Sequence, residues 1–134
     1  MDIHIISDIF LSCIHLNPQS VKRCAVGIGN QVYIVECDNV KYVLRCSTDD
    51  EAYANTIQWL TSLSILEIPV SKVLHYGKHG KYNFLILNFI EGKDLGLVYP
   101  NLSKSEKKRI AKDVIDVQRK VSHLQLNHID AAWT

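Results

Sequence analysis

Three short β-branched runs, residues 21–28, 31–37 and 41–46, follow one another with only turns between them, and this limits the fold more than any other feature of the chain. Gly29-Asn30 divides the first pair and Asp38-Asn39 the second. Such pairs tolerate the positive φ that a tight hairpin demands, so the runs form an antiparallel meander. Two further strands are expected at 71–76 and 82–90, joined by the polar turn Gly77-Lys78-His79-Gly80. The second carries FLILNFI, apolar on nearly every residue, and belongs in a central or well-covered position.

Helical periodicity flanks these strands. Ile5, Ile6, Ile9, Phe10, Cys13 and Ile14 make a 3.6-residue stripe over 2–15, stopped by Asn17-Pro18. Thr48-Asp49-Asp50-Glu51 has the Thr-x-x-Glu pattern of a capping box and is expected to open a helix whose buried face is Tyr53, Ile57, Leu60 and Leu63. Ser103-x-x-Glu106 repeats the pattern before a helix over 104–124, with Ile110, Val114, Val117, Val121 and Leu124 on one face. The order is therefore helix, three strands, helix, two strands, helix. The fold class is α+β, with a five-stranded antiparallel sheet, an N-terminal helix and a C-terminal amphipathic helix.

At 134 residues and 47% hydrophobic content the chain can build the core of one domain. Fifteen basic and fourteen acidic residues leave a net charge of +1, which argues against nucleic acid or an anionic membrane as the main partner. The N-terminal apolar stretch carries Asp2 and Asp8 and lacks a basic leader, and no run approaches the roughly 20 apolar residues of a membrane span. A cytoplasmic location is expected. Cys13, Cys24, Cys37 and Cys46 lack CxxC spacing and read as buried free thiols. His75 and His79 are four apart, but Gly77 and Gly80 oppose the helix that would make this a metal pair, so no metal site is expected.

Side chains two apart on a strand share a face, so Val43 joins Arg45 and Val32 joins Ile34. An apolar surface thus ends beside a fixed cation. A purine can lie on such aliphatic side chains while a guanidinium meets phosphate oxygens, and glycines at the hairpin tip let backbone N–H groups approach them. A plain turn at Gly27 and Gly29 with a solvated Arg45 accounts for the same segment.

The sequence of elements separates these readings. A glycine loop between the first two strands, a cation on the third, a helix, two more strands and an "EG" connector follow the layout of a kinase amino-terminal lobe. The chain resembles the N-lobe of the aminoglycoside phosphotransferase and choline kinase-like family. The resemblance is carried by G-x-G-N-x-V-Y at 27–33, YVLR at 42–45, AYANTIQWL at 52–60, IPVSKVL at 68–74 and FLILNFIEGKDL at 84–95, with helix 104–124 similar to the first carboxy-lobe helix. It implies an N-lobe over 1–95 with the 52–60 helix as its αC, followed by a linker and first C-lobe helix with a tail over 96–134. It implies an ATP site, served as Mg-ATP. Gly27, Gly29 and Asn30 would cover the phosphates, Ile34 and Val43 would roof the adenine, Arg45 would be the β3 cation, and the backbone of Asn88, Phe89 and Ile90 would form the hinge.

Departures from the family pattern are specific. The third loop glycine is Val32, and the β3 cation is Arg rather than Lys. A helix carboxylate facing that cation is not assigned: Glu51 reads as a cap, and Asp50 is closer to the right face. Phosphoryl transfer needs a catalytic Asp and Mg²⁺ ligands, in this family from an H-x-D-x4-N loop and a later Asp. His128-Ile129-Asp130 matches only the first part of it and is read as a tail. No catalytic residue is assigned, and the chain is expected to be a truncated phosphotransferase, inactive alone. A non-catalytic module using the lobe for protein contacts is the alternative. The face of Ile110, Val114, Val117, Val121 and Leu124 is expected to meet either another copy or a complementary C-lobe.

Overall fold

The computed structural model describes residues 1–24 and 31–124. The element order is α1 (Ile3–Cys13), β1 (Ser20–Cys24), β2 (Gln31–Cys37), β3 (Val40–Ser47), α2 (Ala54–Ile65), β4 (Val73–His79), β5 (Tyr82–Asn88), α3 (Leu95–Val98), a 3-10 turn (Tyr99–Asn101) and α4 (Lys104–Ser122). One five-stranded sheet in the order β1-β2-β3-β5-β4 pairs antiparallel throughout. The remainder of the expected first strand, the loop with Gly27, Gly29 and Asn30, and His128-Ile129-Asp130 lie outside the described residues.

Local chemistry explains most of this. Asp38 and Asn39 take φ of 50° and 63°, the left-handed pair of a two-residue hairpin, which fixes Cys37 opposite Val40 and so the whole β2–β3 register. Asp2 caps α1 by accepting from the His4 N–H. The expected capping box at α4 is present: Ser103 Oγ accepts from the Glu106 N–H, and Glu106 Oε1 accepts from the Ser103 N–H at 3.1 Å.

The other expected box does not form. α2 begins at Ala54, with Tyr53 as its N-cap residue and no side-chain cap bond. Instead the Ser47 hydroxyl accepts from the Asp49 N–H at 3.1 Å, and the Asp49 carboxylate accepts from the Glu51 N–H at 3.0 Å. These short side chains satisfy the backbone in successive turns and delay the helix. The second hairpin also differs from expectation. β4 runs through Gly77, Lys78 and His79, and the turn is Gly80-Lys81, with Gly80 at φ +58°. Gly77 serves packing, since a Cβ there would come within 3.2 Å of the Phe84 ring on the opposite strand.

The sheet has two unequal faces. On the outer one, Ile6, Ile9 and Phe10 of α1 pack on Tyr33, Val35, Cys37, Leu44, Cys46, Phe84 and Ile86, and all ten are buried. The inner face is covered by α2, where Tyr53 packs with Leu85 and Leu87, joined by Val43, Ile57, Leu60 and Val73. No residue of α4 is buried, and Val114 and Ile115 are each 48% exposed. All four cysteines are free. Cys37 and Cys46 are buried as expected, whereas Cys13 and Cys24 are only half-buried. Burial pushes the Cys46 thiol up to about 12.

Candidate functional site

Strand register builds the candidate site. Ile34 stands directly opposite Val43, and Val32 opposite Arg45. On the β1 side the same rows continue to Lys22 and Cys24, and on the β5 side to Leu87 and Leu85. Alternation puts these residues on the face away from α1. α2 covers the β5 side of that face, leaving Leu85 and Leu87 buried. Toward β2 the cover thins: Val32, Ile34 and Val43 are half-buried, while Tyr33, Val35 and Leu44 on the outer face of the same strands are 4% exposed or less. An aliphatic surface on two neighbouring strands, β2 and β3, is thus accessible on one side, with a guanidinium at its end.

Arg45 does not find the carboxylate that its position invites. Its guanidinium carbon lies 5.3 Å from the ring centroid of Tyr53, which is 5% exposed, and Arg45 makes no ion pair among the described residues. Asp50 is engaged elsewhere, accepting from Lys78 Nζ at 3.0 Å and from Asn83 Nδ2 at 3.2 Å. Those hydrogen bonds and the Lys78 charge hold its carboxyl below the usual range. Glu51, expected to cap, is exposed and caps nothing. Burial pushes the Tyr53 hydroxyl up to about 12, against the opposing pull of Arg45. Tyr53 was legible only as the start of the buried stripe. The signal that could have marked it is its place on the inward face of the helix that follows the cation strand.

The proposed hinge segment leaves the sheet at Asn88, which pairs with Tyr42. Asn88 is tied to the chain entering β4: its N–H donates to the Lys72 carbonyl at 3.2 Å, and its Oδ1 accepts from the Lys72 N–H at 2.6 Å. Phe89 and Ile90 continue past the strand. Lys41 places its ammonium 5.3 Å from the Phe89 ring centroid and 3.9 Å from Glu91, holding this segment beside β3. Of the two histidines weighed for metal binding, His79 lies 4.0 Å from Asp8, and His75 is exposed. Among the described residues no group of three or more His, Cys, Asp or Glu side chains could hold a metal ion.

Residues 20–134 match the phosphotransferase enzyme family APH. The chain belongs to that family. No curated protein matches it. Among solved structures, this APH-family chain is similar to a thermostable mutant of aminoglycoside phosphotransferase APH(4)-Ia in the apo form, with a TM-score of 0.69 at 13% identity over 89% of this chain and 39% of that one. A further mutant of that enzyme, in ternary complex with ADP and hygromycin B, gives 0.67 at 13% identity, over 90% and 39% of the two chains. Spectinomycin phosphotransferase APH(9)-Ia, in complex with ADP and spectinomycin, gives 0.59 at 9% identity, over 68% and 30%. The chain therefore spans well under half the length of the enzymes it resembles. The likeness is one of fold: a five-stranded antiparallel sheet with its helices, the N-lobe of the kinase-like fold. Among the described residues no helix is long and apolar enough to cross a membrane.

Proposed function

We propose that this chain is the nucleotide-binding half of a small-molecule phosphotransferase, with residues 1–95 as the N-lobe and 96–134 starting a second lobe. Ile34 and Val43 would hold the adenine from above, Arg45 would meet the phosphates, and the backbone from Asn88 to Ile90 would supply the hinge. Gly27, Gly29 and Asn30, outside the described residues, would close over the phosphates. The observation that carries this reading is the half-buried aliphatic surface of Val32, Ile34 and Val43, set beside Arg45 on the face that α1 leaves alone. Those residues fit ATP: the aliphatic surface suits a purine, and the guanidinium suits phosphate oxygens.

Bound Mg-ATP would supply the transferable phosphoryl group. The chain's own residues bind and orient it. Transfer also needs an Asp to position the acceptor and side-chain ligands for Mg²⁺. Capture of the nucleotide is the part of that task assigned to the described residues. Titration of the 134-residue chain with Mg-ATP, followed by amide NMR, is the test. Shifts should concentrate at Val32–Ile34, Val43–Arg45 and Phe89–Ile90, and Arg45→Ala should weaken binding by about tenfold or more, the scale of one charge-assisted contact. Absence of shifts at millimolar Mg-ATP, or identical titrations for chain and variant, would refute the reading.

A further inference from the structure

We propose that Tyr53 is the positioning residue for Arg45: its ring holds the guanidinium by its flat face and leaves the N–H edge free for nucleotide phosphates. This rests on the nucleotide reading above and adds to it the group that aims the cation.

Tyr53 is well placed to do so. It opens α2, is 5% exposed, and is packed with Leu85 and Leu87, so the ring is fixed by the core rather than by solvent. Arg45 reaches it at 5.3 Å, inside the range of roughly 6 Å over which a cation is drawn to a ring face. In its own row across the sheet the half-buried Arg45 is flanked by two apolar residues, Val32 and Leu85.

The geometry of guanidinium then matters. Its N–H donors all lie in one plane, so a partner on the face uses none of them. A carboxylate partner would take two donors in a forked pair and offset the charge as well. The carboxylates nearest along the chain are not in competition, since Asp50 is bound to Lys78 and Asn83 and Glu51 is exposed. An arginine also keeps its proton without a carboxylate's help, whereas an ammonium has no flat face to stack. Arg at the β3 position and Tyr at the head of α2 thus form one device, each residue making sense of the other.

The first measurement is made on the unaltered chain. The Arg45 Nε–Hε signal should be shifted upfield by the ring current and should move on adding Mg-ATP. The second uses calorimetric affinities for Mg-ATP and for adenosine. Tyr53→Leu should weaken Mg-ATP by about 3- to 30-fold, the range expected for a cation–ring contact, and leave adenosine within about twofold. Tyr53→Phe should retain both affinities. Arg45→Lys tests the same device without disturbing the core around Tyr53 and should lose Mg-ATP affinity to a similar extent. An Arg45 signal without upfield shift overturns the proposal, as does a Tyr53→Leu variant that loses adenosine as much as Mg-ATP. If Arg45→Ala loses Mg-ATP while Tyr53→Leu keeps it, the positioning role falls and the nucleotide reading stands. If the unaltered chain binds no Mg-ATP, both fall.

Discussion

Tyr53 carries two roles that meet at high pH. Burial raises its hydroxyl to about 12, above the ordinary value of 10.0, so the folded chain keeps this proton longer than the unfolded chain does. A group of that kind contributes stability that is complete below the unfolded value and disappears as pH rises through the folded one. Unfolding free energy measured by urea titration should therefore fall between about pH 9 and pH 12, with the buried Cys46 thiol, raised from 9.0 to about 12, contributing alongside Tyr53, and Tyr53→Phe should remove only the part of that slope above about pH 10 that belongs to its hydroxyl. Tyr33, also raised by burial, is expected to account for part of the remainder. At the other end of the scale, Asp50 is held low by Lys78 and Asn83 but stands fully in water, where such a pair contributes little.

Among the elements, α1 has the most concentrated core. Phe10 is fully buried, and its ring meets Tyr42 edge-on at 5.8 Å and 63°. Phe10→Ala should cost about 3–5 kcal/mol, as large aromatic deletions in packed cores do, read from denaturant unfolding. A smaller loss would mean that α1 closes over the cavity. The stripe behind this packing was legible in the sequence, because a 3.6-residue repeat survives whatever it packs against. The same holds for the Asp38-Asn39 hairpin and for the cap at Ser103, where the deciding groups are neighbours along the chain. Legibility failed where partners come from a distance. Thr48-x-x-Glu51 looks like Ser103-x-x-Glu106, yet Ser47 and Asp49 take up the local N–H groups before a helix can start. Gly77 looks like a turn residue until Phe84 is seen lying over it. In the candidate site, alternation alone brought Ile34, Val43 and Arg45 to one face. The Arg45–Tyr53 contact escaped because a ring face leaves no charge pattern to read, and the partner of Arg45 stayed unassigned because the groups that engage Asp50, Lys78 and Asn83, arrive from β4 and β5.

Taken as a whole, the molecule has its helices committed to different degrees: α1 fully, α2 in part, α4 without a single buried residue. Ile110, Val114, Val117 and Val121 on α4, and Leu124 just past its C-cap, remain at least partly open, in the pattern that usually marks a contact surface. Sedimentation over a wide concentration range should show self-association, reduced by Val114→Lys combined with Val117→Lys; a constant monomer mass would refute it. The committed helix carries a practical lesson about where this domain begins. The match to the phosphotransferase enzyme family begins at residue 20, but the fold's interior already includes Ile6, Ile9 and Phe10. A fragment trimmed to the recognisable part would leave Val35, Leu44 and Ile86 bare to water, so the edge of inherited sequence similarity and the edge of the folding unit are different places in this chain.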